Sequence, residues 1–331
     1  TSNSTNETLF SNDNKGHNMR KNRKNFIGYS SITLEMENAA PCVPDLNIPN
    51  IHAPYTVTDK ADGVRKLLYV GQKGKIYMID INMNVQYTGL ITKDNEYYNS
   101  VLDGEHIIHD KHGKYLNLYM CFDIYFKKKE DCRYYPLIYK NDMKFDDPKY
   151  DKKLSRLEIL NKFVKGMEVT SIIKDKKPTM SIKVKTFYSN RSATNQKISL
   201  FKSCKELLDG MEDGSMFEYE TDGLIFTPID KSIGSSKLGV MEHQKTWKHS
   251  FKWKPPEYNT IDFLVITKKG ETGRDNINHL FQEGTNMTQN KNNLLQYKTI
   301  ELRVGFNSKQ HGFINPSQDV IDGNYPGSKN Y

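Results

Sequence analysis

Lys60 stands in the stretch TVTDKADGVR, at the end of a run rich in Val, Thr and Tyr and just before Asp62-Gly63 and Arg65. Carboxylates recur at the ends of similar runs further on: Asp103 and Glu105 in LDGEHI, Asp123 in CFDIYF, Glu220 and Asp222 in EYETDGLIF. Two more lysines, Lys252 and Lys254, alternate around Trp253 in FKWKP. Residues two apart on a strand share a face, so Asp103 goes with Glu105, Glu220 with Asp222, and Lys252 with Lys254. A lysine beside a turn, several carboxylates and a two-lysine clamp are the parts needed to bring a nucleoside triphosphate and a divalent metal up to a nucleophile. Each pattern taken alone also reads as the polar face of a strand or a solvated hairpin tip. Their combination in one chain is what points to a site.

The flanks of these residues are β-type. KLLYVG, KIYMIDINM, SVLDGEHIIH, KYLNLYMCFDIYF, SIKVKTFY, MFEYETDGLIFTP and SFKWKP alternate, or are rich in aromatic and β-branched residues, as strands do. Asp62-Gly63 between two such runs predicts a tight hairpin turn with Lys60 at its entry. Helical spacing is found in KKLSRLEILNKFVKG, with Leu154, Leu157, Leu160 and Val164 on one side and Gly166 as the stop, and again in LFKSCKELLDGM. APCVPDLNIPNIHAP is too proline-rich for a helix. The first 25 or so residues are almost all polar and are expected to be flexible. A second shift follows Pro255-Pro256: NTIDFLVITKK and LLQYKTIELRVGF read as strands on either side of a long polar interval, which is expected to be mobile.

At 331 residues the chain is one large domain or two ordinary ones, and 36% hydrophobic content is enough for a real core. The mean hydropathy of -0.73 leaves room for long polar loops. A net charge of +8 favours a polyanionic partner such as nucleic acid or nucleotide phosphate. Cys42, Cys121, Cys132 and Cys204 are widely separated with no C-x-x-C pair, which indicates a reducing compartment and no structural zinc. No run approaches the roughly 18–20 apolar residues of a membrane span, and no signal peptide is seen. The N-x-[ST] matches at Asn3, Asn6, Asn190 and Asn286 are read as products of an Asn-rich composition. The chain starts at Thr1 and stops at NYPGSKNY, so an excised piece of a longer polypeptide is expected.

The order KADGVR (from Lys60), DGEHI (from Asp103), FDIYF (from Phe122), TDGLIF (from Thr221) and KWKP (from Lys252) resembles the motif series of the covalent nucleotidyltransferases, the superfamily of mRNA capping guanylyltransferases and ATP-dependent polynucleotide ligases. The likeness spans roughly residues 55 to 265. TDGLIFTP, KWKPPEYNTIDF and KVKTFY are more similar to capping enzymes than to ligases, and the composition is similar to that of large DNA viruses' capping enzymes. The resemblance implies an α+β fold: a nucleotidyltransferase core over 26–256 with antiparallel sheets flanking a nucleotide cleft, then all or part of an OB-type β-barrel over 257–331. The basic motif that usually closes such a barrel is not found; Arg303 in ELRVG lacks its context.

The resemblance also implies roles. Lys60 would attack the α-phosphate of GTP and carry GMP to the 5′ diphosphate end of an RNA. Arg65, Lys252 and Lys254 would contact phosphates, Glu105 a ribose hydroxyl, and Phe122 the face of guanine. Lys185 would bond guanine O6, an acceptor that adenine lacks. Asp222, with Glu220 second, would hold Mg²⁺ or Mn²⁺. Triphosphatase and methyltransferase domains of the same polypeptide are expected partners, with the cytoplasm (a viral factory or virion) or, for a cellular protein, the nucleus as the place of action. Two rivals stand beside this: a ligase-like adenylyltransferase using ATP, and a non-catalytic RNA-binding module. His106, His109 and His112 have a zinc-like spacing, but HDKHG reads as a hairpin tip and positions three apart on a strand face opposite sides.

Overall fold

The computed structural model describes residues 26–41, 48–145, 149, 152–173, 176–189, 199–242, 245–258, 263–281 and 294–303. The flexible segment expected over residues 1 to 25, Cys42, and the matches at Asn3, Asn6, Asn190 and Asn286 lie outside the described residues. The chain divides into two compact units, Thr1–Tyr258 and Asn259–Tyr331.

Two sheets make the first unit. One has five strands in the order β1 (Ser30–Thr33), β13 (Thr246–Trp253), β12 (Thr221–Pro228), β2 (Tyr55–Ala61) and β11 (Tyr188–Ser189). The other has eight. Its path runs β10 (Ser181–Val184), β7 (Tyr115–Lys127), β6 (Ser100–His109), β3 (Val64–Val70), β4 (Lys75–Asp80), β5 (Val85–Ile91) and β9 (Thr170–Ser171), with β8 (Glu130–Asp131) on β7. Pairing is antiparallel except at β1–β13 and β10–β7, which are parallel, so the expectation of purely antiparallel sheets is corrected at two edges.

Each sheet buries one face under a helix. Leu68, Val70, Ile76, Leu102 and Tyr119 of the larger sheet pack with Leu160 and Phe163 of α2 (Arg156–Gly166). Val57, Leu224, Phe226 and Phe251 of the smaller sheet pack with Leu200 and Leu207 of α3 (Leu200–Glu212). Fully burying one such side chain is worth roughly 1.5–3 kcal/mol. A one-turn helix, α1 (Met36–Ala39), also adjoins the smaller sheet, with Ala39 against its core.

The hairpin expected at Asp62-Gly63 is not one. β2 pairs with β11 and β12, whereas β3 pairs with β4 and β6, so the chain crosses there from the smaller sheet to the larger. The corner is held by Asp62 N–H donating to the Glu220 carbonyl at 2.9 Å. Gly63 is needed because a Cβ there would come within 2.9 Å of Glu105 Cγ and of the His106 carbonyl oxygen. SIKVKTFY, expected as one strand, makes the reverse crossing: β10 lies in the larger sheet and β11 in the smaller, with Lys185, Thr186 and Phe187 between them. Both crossings open onto the same cleft.

Helix α2 starts at Arg156 rather than Lys152, because the Ser155 hydroxyl caps it by accepting from Glu158 N–H. Leu154, Leu160 and Val164 of the expected stripe pack on the core, and the buried face of the helix widens to take in Arg156 and Phe163. Arg156 joins it by pairing with Asp123 of β7, Nε to Oδ1 at 2.9 Å. Among the described residues no helix is long and apolar enough to cross a membrane.

In the second unit, β14 (Leu264–Thr267) pairs with β17 (Ile300–Arg303), and β15 (Ile277–Phe281) with β16 (Leu294–Lys298), all antiparallel. β15 falls inside the polar interval expected to be mobile, a correction: the short INHLF run forms a strand amid polar neighbours. Two separate two-stranded sheets among the described residues do not by themselves make the OB-type barrel expected from the sequence.

Candidate active site

Between the two sheets of the first unit lies a cavity of about 330 Å³ lined by Lys60, Arg65, Glu105, Phe122, Lys185 and Lys252. Six residues singled out from the sequence are therefore brought together by strands β2, β3, β6, β7, β13 and the β10–β11 crossing.

Lys60 is the penultimate residue of β2. Its Nζ is 2.6 Å from Asp222 Oδ1, and Lys254 Nζ is 2.6 Å from Asp222 Oδ2, so one carboxylate ties the strand of Lys60 to the end of β13. Asp222 reaches that place through a distortion in β12. Gly223 has φ of +144° and the pairing with β2 slips between Thr221 and Leu224. A Cβ at 223 would lie 2.0 Å from the Trp253 carbonyl oxygen. Burial works against ionising Asp222, but the bonds from Lys254 and Lys60 overcome it and hold its pKa below the usual carboxylate range.

The same distortion separates Glu220 from Asp222. Glu220 precedes β12, is exposed, and lines a second cavity with Trp253 and Tyr258. The shared face expected for Glu220 and Asp222 is thus corrected: period-two alternation fails where a glycine breaks the pleat. The Lys252–Lys254 pair behaves as expected in one respect. Lys252 opens on the cleft and Lys254 meets Asp222, while Trp253 lies on the second cavity and against the core under α3.

Arg65 is held as a fork. Its Nε donates to Asp103 Oδ1 at 3.1 Å, its Nη2 to Asp103 Oδ2, and its Nη1 to the Tyr29 carbonyl at 2.6 Å. The guanidinium lies 5.5 Å from the centroid of the Phe122 ring. Asp103 is wholly buried and also accepts from the Tyr125 hydroxyl, so it serves to set Arg65 rather than to meet a ligand. Glu105 pairs across from Arg65 in the strand register. Burial pushes its carboxyl up to about 7, against the pull of Lys185, Arg65 and Lys60 and with the push of Asp103. Such a group can change protonation near neutral pH.

Lys185, only 6% exposed, donates to both the carbonyl and the Oδ2 of Asp59, each at 2.8 Å. Asp59 accepts a further bond from the Tyr219 hydroxyl at 3.1 Å. Asp59 and Tyr219 were not singled out from the sequence. The only signal was the crowding of charge in TDKADGVR; a tyrosine 160 positions away gives none.

The three histidines do not converge. His106 is buried and its Nε2 is 2.8 Å from Asn117 Oδ1; His109 packs edge-on to Tyr115; His112 sits on the β6–β7 hairpin tip. The thiols of Cys121, Cys132 and Cys204 are free.

Comparison with known proteins bears on this geometry. Residues 45–256 match the family described as mRNA capping enzyme, catalytic domain. The chain is 29% identical over 291 residues to a probable mRNA-capping enzyme of Acanthamoeba polyphaga mimivirus, covering 79% of this chain and 23% of that protein. It is 29% identical over 228 residues to an mRNA-capping enzyme of Danio rerio, covering 66% and 32%. The chain thus spans about a quarter to a third of the length of these relatives. Among solved structures, mycobacterial DNA ligase D complexed with ATP and MES overlays with a TM-score of 0.36 at 9% identity, over 72% of this chain and 62% of that one.

Proposed function

We propose, from the premise that the chain belongs to the mRNA capping enzyme catalytic-domain family, that it is an mRNA guanylyltransferase acting through a lysyl-GMP intermediate on Lys60. The observation that carries this reading is the position of Lys60: in one cavity with Arg65, Glu105, Phe122, Lys185 and Lys252, its Nζ 2.6 Å from Asp222.

The cleft supplies a division of labour. Cationic Arg65 and Lys252 meet phosphate, Phe122 offers a ring face to the base, Lys185 a donor to guanine O6, and Glu105 a carboxyl for the ribose. In the first step the neutral Lys60 amine attacks the α-phosphorus of GTP. The N–P bond forms as the bond to the pyrophosphate oxygen breaks; the amine gives up a proton to solvent and pyrophosphate leaves. In the second step a β-phosphate oxygen of a 5′-diphosphate RNA attacks the same phosphorus, the N–P bond breaks, and the amine regains a proton as GpppN departs. Attack requires a free amine, so the Lys60–Asp222 contact must part when the nucleotide arrives.

A divalent cation, Mg²⁺ or Mn²⁺, would neutralise charge on the triphosphate. Among the described residues no three His, Cys, Asp or Glu side chains gather into a closed metal site. What fits is a cation held mainly by phosphate and water, with ionised Asp222 as its protein ligand. Glu220, on the other cavity, is the weaker candidate. An OB-type role for the second unit rests on its short antiparallel pairs, and neighbouring triphosphatase and methyltransferase domains on the greater length of the relatives.

Incubation with α-³²P-labelled GTP and Mg²⁺ tests the reading. It expects acid-labile, alkali-stable label on the protein that is absent from Lys60→Ala. Labelling by ATP and not GTP would move the chain to the ligase class.

A further inference from the structure

We infer that Asp59 and Tyr219 are positioning residues that aim Lys185 at the base, and so set purine selectivity; this rests on the guanylyltransferase reading above. Lys185 and Asp59 form an almost wholly buried ion pair, with side chains 4% and 3% exposed. An ammonium has three N–H donors. Two go to Asp59, one to its carbonyl and one to Oδ2, and the described residues offer the third no partner. Lys185 lines the cleft, so that remaining donor is available to an acceptor placed there.

Two hydroxyls hold the tether itself. The Tyr219 hydroxyl donates to the same Oδ2 from the wall of the second cavity. The Thr58 hydroxyl lies within reach of Asp59 Oδ1 at 3.2 Å and of the Thr186 carbonyl at 2.8 Å, which pins the residue after Lys185 to the strand of Lys60. Asp59 immediately precedes Lys60. The nucleophile and the base-facing ammonium therefore hang from one strand end, and the distance between them is set by backbone and by Asp59.

An ammonium has donors and no acceptor, so Lys185 as placed can only donate. It rewards a carbonyl oxygen such as guanine O6 and leaves a purine lacking that acceptor with an unmet donor, the arrangement that gives large discrimination. Removing the Asp59 charge, or the Tyr219 hydroxyl that orients it, lets Lys185 turn away.

The test compares GTP with 2-aminopurine riboside triphosphate, which lacks O6, in the rate of adduct formation by the 331-residue chain and its variants. Unaltered protein is expected to prefer GTP. In Asp59→Asn the ratio of kcat/KM for the two substrates should fall about tenfold, the size of one charged hydrogen bond, and in Tyr219→Phe by a smaller factor. A merely structural role would lower both substrates alike and leave the ratio unchanged, which would overturn the inference, as would an unaltered protein indifferent to O6. Should Asp59→Asn fail to fold, Tyr219→Phe decides alone, since it removes one oxygen. No labelling of the unaltered protein by any purine triphosphate would instead remove the functional reading, and the tether's role with it.

Discussion

Asp222 Oδ1 lies 2.6 Å from Lys60 Nζ across 162 positions of sequence, and this contact joins the proposed nucleophile to the carboxylate best suited to a metal. Asp222→Ala is expected to abolish adduct formation, because both Lys60 and Lys254 lose their partner and the cation loses its protein ligand. Glu220→Ala should change the rate little, since that side chain is exposed on the other cavity. Labelling with GTP at saturating Mg²⁺ compares the two. A greater loss in Glu220→Ala would reverse the assignment.

Lys252 and Lys254 are expected to contribute to phosphate binding and not to base choice. Charged hydrogen bonds are worth roughly 1.5–3 kcal/mol, so each alanine variant should lose about tenfold or more in nucleotidyl transfer while keeping the preference for GTP over ATP. Trp253→Ala should chiefly lower the melting temperature, because the indole packs against the core under α3 and away from the cleft. Wild-type transfer rates in either lysine variant would dissolve the clamp.

What the sequence conveyed and what it hid follow from the range of the interactions. The runs around Lys60, Asp103, Phe122, Asp222 and Lys252 are legible because strand patterning is local, and five of them in order carry a family likeness. Asp62-Gly63 shows that the chain bends but not which sheet the next strand joins. The crossing that holds Lys185 is hidden in the same way. Glu220 and Asp222 part company at the irregularity in β12, where Gly223 lacks the Cβ that would strike the Trp253 carbonyl thirty positions on. Asp59 and Tyr219 gain meaning only from Lys185, a partner 126 positions from Asp59. Arg156 is buried only because Asp123, 33 positions earlier, pairs with it, and no local pattern reports such a partner.

Arg156 supplies a stability prediction. Its side chain is fully buried, with Nε on Asp123 and Nη1 on the carbonyls of Tyr135 and Lys231. Removing one partner of a buried pair strands the other charge at a cost of about 3–5 kcal/mol. Arg156→Met should therefore lower the unfolding free energy by about that much in urea titration, and Asp123→Asn/Arg156→Met together by less than the sum of the two. Additive losses would mean that the pair does not act as a unit.

Glu105 predicts the pH dependence of stability. Its carboxyl titrates near 7 in the folded chain, raised from an ordinary 4.5 chiefly by burial. An acid whose folded pKa is raised binds its proton more tightly in the native state. Its contribution is therefore fully present below about 4.5, declines as pH rises, and levels off above about 7. Asp222, depressed by Lys254 and Lys60, works in the opposite direction at lower pH, so the comparison must isolate Glu105. Glu105→Gln keeps the shape of the side chain and cannot ionise. The melting temperature of the unaltered protein minus that of Glu105→Gln should fall steadily between pH 4.5 and 7 and then stay flat. A difference that is constant over this interval, or that rises with pH, would show that Glu105 is ionised in the cleft throughout.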